Sequence, residues 1–178
     1  MTEEIIIAGF GGQGVLSMGK IIAYSGLMQG LEVSWMPSYG PEIRGGTANV
    51  TVIISDTRIS SPILHKFSTA IILNQQSMDK FEPMVKPGGV LIYTPSTISR
   101  NPTRKDISLF PINAIEEAEK INAGKVANMF LLGAFMKIHP ILKLEYVMDG
   151  LKHSLSERNQ KYLPLNEKAL RLGMELVK

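Results

Sequence analysis

One segment constrains the fold more than any other. An apolar, β-branched run, residues 4–9 (EIIIAG), passes straight into Gly9-Phe10-Gly11-Gly12-Gln13-Gly14 and then into a long apolar stretch, Val15 to Gln29. The first run reads as a buried strand. The last reads as a helix, with Gly30 as its stop. A strand that turns into a helix through so few residues is the opening of an α/β unit. The glycines have separate uses in such a turn. One allows a tight turn with positive φ. Another lets the backbone approach a ligand with no Cβ between them, and a third lets the helix pack closely on the strand. The N–H groups bared at the helix start form an anion site.

The spacing matches G-x-G-x-x-G, the dinucleotide fingerprint, which is completed by an acidic residue at the end of the second strand, where it holds the adenosine ribose. Here that strand, Leu31 to Met36, ends Val33-Ser34-Trp35-Met36, and Glu32 stands at its start. The incomplete motif counts against NAD. A glycine-rich turn that binds nothing and serves packing alone stays open beside it.

The remaining elements follow the same alternation. Pro37 is expected to end the second strand, and residues 37–46 (PSYGPEIRGG) read as a loop with fixed corners. Thr47 to Ser55, Thr69 to Leu73, Val90 to Thr94 and Ile107 to Ile112 read as strands. Residues 76–86 read as a short helix stopped by Lys86-Pro87-Gly88-Gly89, and 56–68 and 95–106 read as irregular. Beyond residue 113 the pattern is helical: Ala114 to Ile121, Val126 to Ile138, Leu144 to Arg158 and Asn166 to Lys178, with Asn166 as an N-cap. This order predicts a three-layer α/β/α, Rossmann-like fold with a mostly parallel sheet and a helical C-terminal part. At 178 residues, with no internal repeat or low-complexity segment, residues 1–178 read as a single domain.

Composition removes several chemistries. The chain has no cysteine. That excludes disulfides, cysteine-bound iron–sulfur clusters, thiolate zinc sites and a cysteine nucleophile, and it fits a cytoplasmic protein. Residues 1–100 carry seven basic and seven acidic side chains, and residues 101–178 carry twelve and nine, so the net charge of +3 resides in the second part. This is too mild and dispersed for a nucleic-acid footprint, though it suits an anionic partner. The N-terminus begins with Glu3 and Glu4, without a basic leader. The longest apolar stretch, Val126 to Ile138, is short for a membrane span and contains Lys137.

In the second glycine-bearing segment, Ser38-Tyr39-Gly40-Pro41-Glu42-Ile43-Arg44-Gly45-Gly46, Arg44 is followed by bare backbone. Such an arginine can offer a planar fork to a phosphate or carboxylate. Glu42 can instead pair with it, leaving a solvated loop ion pair.

Together these segments resemble a known family. GFGGQG after the first strand, SYGPEIRGGTANVTVIIS at 38–55 and Ser61-Pro62 are similar to the gamma subunit of 2-oxoacid:ferredoxin oxidoreductases, and to the gamma domain of fused pyruvate:ferredoxin oxidoreductases. Asn128 with Leu132-Gly133-Ala134, and Asn166 to Gly173, extend the resemblance over nearly the whole chain. The resemblance implies a module of a larger enzyme that oxidatively decarboxylates a 2-oxoacid, 2-oxoglutarate or pyruvate, on thiamine diphosphate. Such an enzyme passes electrons through iron–sulfur clusters to ferredoxin and forms acyl-CoA. Thiamine diphosphate and Mg²⁺ are expected on alpha and beta partner subunits, with the clusters on beta, on a small delta subunit, or on both. The gamma module is associated with assembly and with the region that receives coenzyme A. The residues expected to face that ligand are Gly9, Gly11, Gly12, Gln13, Gly14, Arg44, Gly45 and Gly46.

The residues agree with that division. There is no G-D-G…N motif for a diphosphate–Mg²⁺ pair, and His65, His139 and His153 show no metal-ligand spacing. Each histidine reads as a surface or capping residue. No catalytic or metal-binding residue is assigned, and the isolated chain is expected to be inactive. Val126 to Ile138 is apolar on every side and must be buried all round. A central core helix is favoured over one that meets another subunit. A free-standing nucleotide-binding oxidoreductase and a purely structural interaction subunit remain the alternatives.

Overall fold

The computed structural model describes residues 1–40 and 46–178. Strand β1 (Thr2–Phe10) forms where the sequence is β-branched and sits at the centre of a six-stranded sheet. Helix α1 (Val15–Met28) follows it. An edge hairpin comes next, β2 (Glu32–Tyr39) and β3 (Thr47–Ser55). The chain then crosses to β4 (Phe67–Ile72), α2 (Gln75–Phe81), β5 (Val85–Tyr93) and β6 (Ser108–Pro111). Four helices complete it: α3 (Ala114–Lys120), α4 (Ala127–Ile138), α5 (Leu144–Ser154) and α6 (Leu163–Glu175).

The strand order is β2-β3-β1-β4-β5-β6. β1, β4, β5 and β6 pair in parallel, whereas β3 runs against both of its neighbours. The sheet is therefore mostly parallel, as expected, with one reversed strand set beside β1. β1 is buried on both faces. Ile5 and Ile7 pack with α1, α3, α4, α5 and α6, and Ile6 and Ala8 pack with Met78 and Phe81 of α2. The two helical layers are thus unequal: five helices cover one face, and one seven-residue helix serves the other.

Helix α4 is the centre of the thick layer. Every residue from Met129 to Met136 is buried, so the chain itself covers the apolar body of this helix, with Asn128 and Lys137 at its ends. Each large side chain in it, such as Phe130 or Phe135, contributes about 1.5–3 kcal/mol by leaving water. α4 packs on α6 through a reciprocal pair of glycines. A Cβ at Gly133 would overlap the Leu170 carbonyl, and one at Gly173 would overlap the Phe130 carbonyl. Backbone meets backbone here, and neither side can yield.

Four sequence expectations are corrected. β2 continues through Pro37 to Tyr39, because it is an edge strand and a missing N–H there breaks no ladder on its open side. Lys86-Pro87-Gly88-Gly89 lies inside β5 rather than before it. The register with β4 jumps from Phe67–Val85 to Thr69–Val90, and the extra residues bulge out. α5 stops at Ser154, and a separate tight turn spans Glu157–Tyr162. α6 begins at Leu163, with Pro164 in its first turn. Asn166 is therefore inside the helix, where its Nδ2 donates to the Tyr162 carbonyl at 2.8 Å.

At the end of the sheet where β1 and β4 begin, side chains close the structure. The buried Glu3 carboxylate accepts from the Ser68 and Thr69 hydroxyls, each at 2.6 Å. His139, at the C-cap of α4, places Nε2 2.9 Å from Thr69 Oγ1. His153 stacks on Tyr24 with ring centroids 4.9 Å apart, and His65 is exposed. All three histidines keep the surface or capping roles expected of them. Among the described residues, no helix is long and apolar enough to cross a membrane.

Candidate functional site

The opposite end of the sheet carries the glycine loop. β1 feeds α1 on one face and β4 feeds α2 on the other, so the chain diverges between two adjacent parallel strands. This is the topological switch point, where open α/β sheets form ligand crevices beyond the C-terminal strand ends. Gly12 (φ 96°) and Gly14 (φ 78°) hold the turn in the left-handed region that other residues avoid. Gly14 caps α1 without a side-chain hydrogen bond, and no acidic residue stands in the helix's first turn. The positive end of the helix dipole is left uncompensated by side chains.

Gln13 spans the crevice itself. Its Oε1 accepts from the Phe10 N–H at 2.6 Å, and its Nε2 donates to the Leu73 carbonyl at 3.2 Å. A Cβ at Gly9 would stand 2.5 Å from that Oε1, so Gly9 is what lets the glutamine lie across the strand end. Asn128, on α4, donates to the Gly14 carbonyl at 3.4 Å and walls the loop from behind. A cavity of about 210 Å³ lies below, lined by Gly12, Gln13, Thr94, Lys125 and Asn128 among others.

On the other side of the loop, toward β3, a cavity of about 500 Å³ opens between Phe10, Gly11, Gly12, Gly14, Ser17, Gly46 and Thr47. The Gly11 N–H donates to the Gly46 carbonyl at 2.9 Å, which fastens the two glycine-bearing segments together. No ionisable side chain lines this cavity among the described residues. Its polarity comes from backbone groups, the start of α1 and the hydroxyl-bearing side chains of Ser17 and Thr47. Such a lining can hold an anion or a polar chain, but among the described residues it offers no general acid or base.

Of the residues singled out in the sequence, Gly11, Gly12, Gly14 and Gly46 share this cavity. Gln13 faces the smaller one, and Gly9 lies beneath Gln13. Arg44 and Gly45 lie outside the described residues. Ser17, Thr47 and Lys125 were missed. Ser17 stands one turn into the helix after the glycines, and that spacing was the signal for it. Thr47 and Lys125 carry no local signal, since strand pairing and helix packing bring them in. The residues do not fit an iron–sulfur cluster, which needs thiolates this chain lacks. Among the described residues there is no group of three His, Asp or Glu able to hold a metal ion.

Comparison with known proteins adds the family. Residues 4–176 match the family model described as pyruvate ferredoxin/flavodoxin oxidoreductase. The chain is 35% identical over 173 residues to ketoisovalerate oxidoreductase subunit VorA of Methanothermobacter marburgensis, covering 97% of this chain and 36% of that protein. It therefore spans about a third of that relative's length. It is 32% identical to 2-oxoglutarate synthase subunit KorC of the same organism, covering 99% of this chain and 97% of that one. Among solved structures, the gamma subunit of a keto/oxoacid ferredoxin oxidoreductase from Geobacter sulfurreducens superposes with a TM-score of 0.82 at 29% identity. That superposition covers 98% of this chain and 97% of that one. These relatives are subunits of oxidoreductases that act on 2-oxoacids, and the match holds from the first strand to the last helix: the chain belongs to the pyruvate ferredoxin/flavodoxin oxidoreductase family.

Proposed function

We propose that this chain is the gamma subunit of a thiamine-diphosphate-dependent 2-oxoacid:ferredoxin oxidoreductase. In that enzyme it joins alpha and beta subunits, and a delta subunit where the complex has one. The complex converts a 2-oxoacid to acyl-CoA in the cytoplasm and passes the electrons through iron–sulfur clusters to ferredoxin. Thiamine diphosphate, Mg²⁺ and the clusters belong to the partners, and the isolated chain is inactive. The observation that carries this reading is the joining of the two glycine-bearing segments at one cavity that, among the described residues, has no acid, base or metal ligand in its lining. Such a surface shapes and covers a pocket rather than doing chemistry in it. The ligand that suits it is coenzyme A, with phosphates near the backbone amides of the loop and near Arg44, two residues before Gly46 in the chain. 2-Oxoglutarate is the first substrate to test, since the likeness to the 2-oxoglutarate synthase subunit runs over nearly the full length of both chains.

Affinity purification of the native tagged chain is expected to bring down thiamine-binding partners, and recovery of the chain alone would count against the reading. In the assembled enzyme, Arg44→Ala is expected to raise the KM for coenzyme A about tenfold, the loss of one charge-assisted contact, with the KM for the oxoacid unchanged. An unchanged KM for coenzyme A removes the phosphate role. The hydrogen bond between Gly11 and Gly46 suits a second reading, a purely structural interaction subunit in which the glycines serve packing only. It predicts that Gly12→Ala impairs assembly and leaves turnover per assembled complex intact.

A further inference from the structure

The C-terminal half holds a larger cavity that the glycine-loop reading does not use. The turn Gly124–Val126 faces the turn Glu157–Tyr162 across a space of about 960 Å³. Lys125, Arg158 and Lys161 line it together with Ser156, Asn159 and Tyr162, and no carboxylate is among its lining residues. None of the three cations has a carboxylate within 4 Å among the described residues, although six cation–carboxylate pairs form elsewhere among those residues. Three like charges around one concavity repel one another, and Glu157, the acidic residue of the same turn, pairs with none of them. A concave, uncompensated surface of one sign concentrates anions of the other.

The lining also indicates what kind of anion. Tyr162 is 45% exposed, and Lys161 Nζ stands 5.1 Å from its ring centroid. Lys161 lies over one face of that ring, which leaves the other face for a planar base, with the cations beside it for phosphates. Ser156 and Asn159 add polar groups at the rim. Gly124 and Lys125 also line the small cavity under the glycine loop, so they form a wall shared by the two spaces.

We infer that this cavity is a binding site for a nucleotide carrying two or more phosphates, with Lys125, Arg158 and Lys161 on the phosphates and Tyr162 against the base. It is separate from the cavity of about 500 Å³ at the glycine loop and stands whether or not the function proposed above holds.

The test is calorimetric titration of ADP, pyrophosphate and adenosine, both into the purified full chain and into the complex it purifies with. ADP is expected to bind, and to bind more weakly at 300 mM than at 50 mM salt. The double variant R158Q/K161Q is expected to raise the ADP Kd at least tenfold. Lys105→Gln, an exposed cation outside the cavity, is expected to leave it unchanged. Tyr162→Leu is expected to raise the Kd for ADP about threefold or more and to leave that for pyrophosphate unchanged. All these positions are exposed, so thermal melts of the variants should match the parent. Absence of ADP binding to both chain and complex overturns the inference, as does binding that R158Q/K161Q does not weaken. If ADP does not bind and R158Q/K161Q instead stops the chain joining its partners, the cavity is a protein contact and the inference is wrong.

Discussion

Gly133 and Gly173 stand where α4 and α6 touch, while Gly12 and Gly14 stand where the chain turns beside open cavities. The first pair has ordinary helical backbone and no room: an added Cβ would run into a carbonyl of the facing helix. Gly12 has the reverse condition, with a φ of 96° and nothing within 4 Å of where a Cβ would be. Gly14 lies between, with a φ of 78° and the Asn128 side chain against it. The same residue type thus serves packing in one place and conformation in the other. Only at the second is empty space left for something else to enter.

Substitution by alanine separates the two conditions. Gly133→Ala and Gly173→Ala are expected to have the largest effect, about 3 kcal/mol or more, because overpacking here meets backbone. For a chain of this size that is a fall in melting temperature of roughly 6–12 °C, measurable by calorimetry. A change under 1 kcal/mol would break the comparison. Gly14→Ala comes next, at about 2 kcal/mol, from left-handed strain plus the clash with Asn128. Adding Asn128→Ala should recover part of that loss, which isolates the steric share by a double-mutant cycle. Gly12→Ala is expected to cost about 1 kcal/mol from backbone strain alone. Its effect should fall on ligand affinity or assembly instead, and a loss of stability equal to that at Gly133 would erase the distinction.

The smallest expected effect is electrostatic and gives the baseline for the others. Arg104 donates to both carboxylate oxygens of Asp106, at 2.5 and 2.6 Å, and holds that carboxyl below its ordinary range. A lowered folded value means the contribution is present above the unfolded value, near pH 4, and is lost as the pH falls through the folded value. Asp106→Asn should flatten the acid limb of the stability–pH curve slightly, by the same amount in the parent and in the glycine variants, as read from urea midpoints between pH 2 and 5.

How much of this could be read from the chain depends on whether the deciding contacts are local. β3 matches the expected Thr47–Ser55 end to end, because alternation and β-branching are properties of the segment itself. The burial of α4 was legible for the same reason, and the core position favoured for it is the one it takes. Pro37 misled because an edge position excuses a missing N–H, and edges are set by pairing. Lys86 to Gly89 misled because a bulge in β5 uses the residues that elsewhere make a turn. Asn166 misled because Leu163 and Pro164 had already opened the helix. At the site, the glycines were readable from their spacing. That Gln13 is spent on Phe10 and Leu73 was not, because Leu73 lies sixty residues away. Nor was the meeting of Gly11 with Gly46, which depends on β3 pairing beside β1.

The reversal of β3 has a consequence for how such a module can change. Phe10 pairs with Thr47, so the start of β3 lies at the same rim as the glycine loop. A hairpin tip, unlike a crossover, can gain, lose or swap residues without re-threading any other strand. Length changes in the sequence between β2 and β3 therefore leave the strand order of the sheet intact.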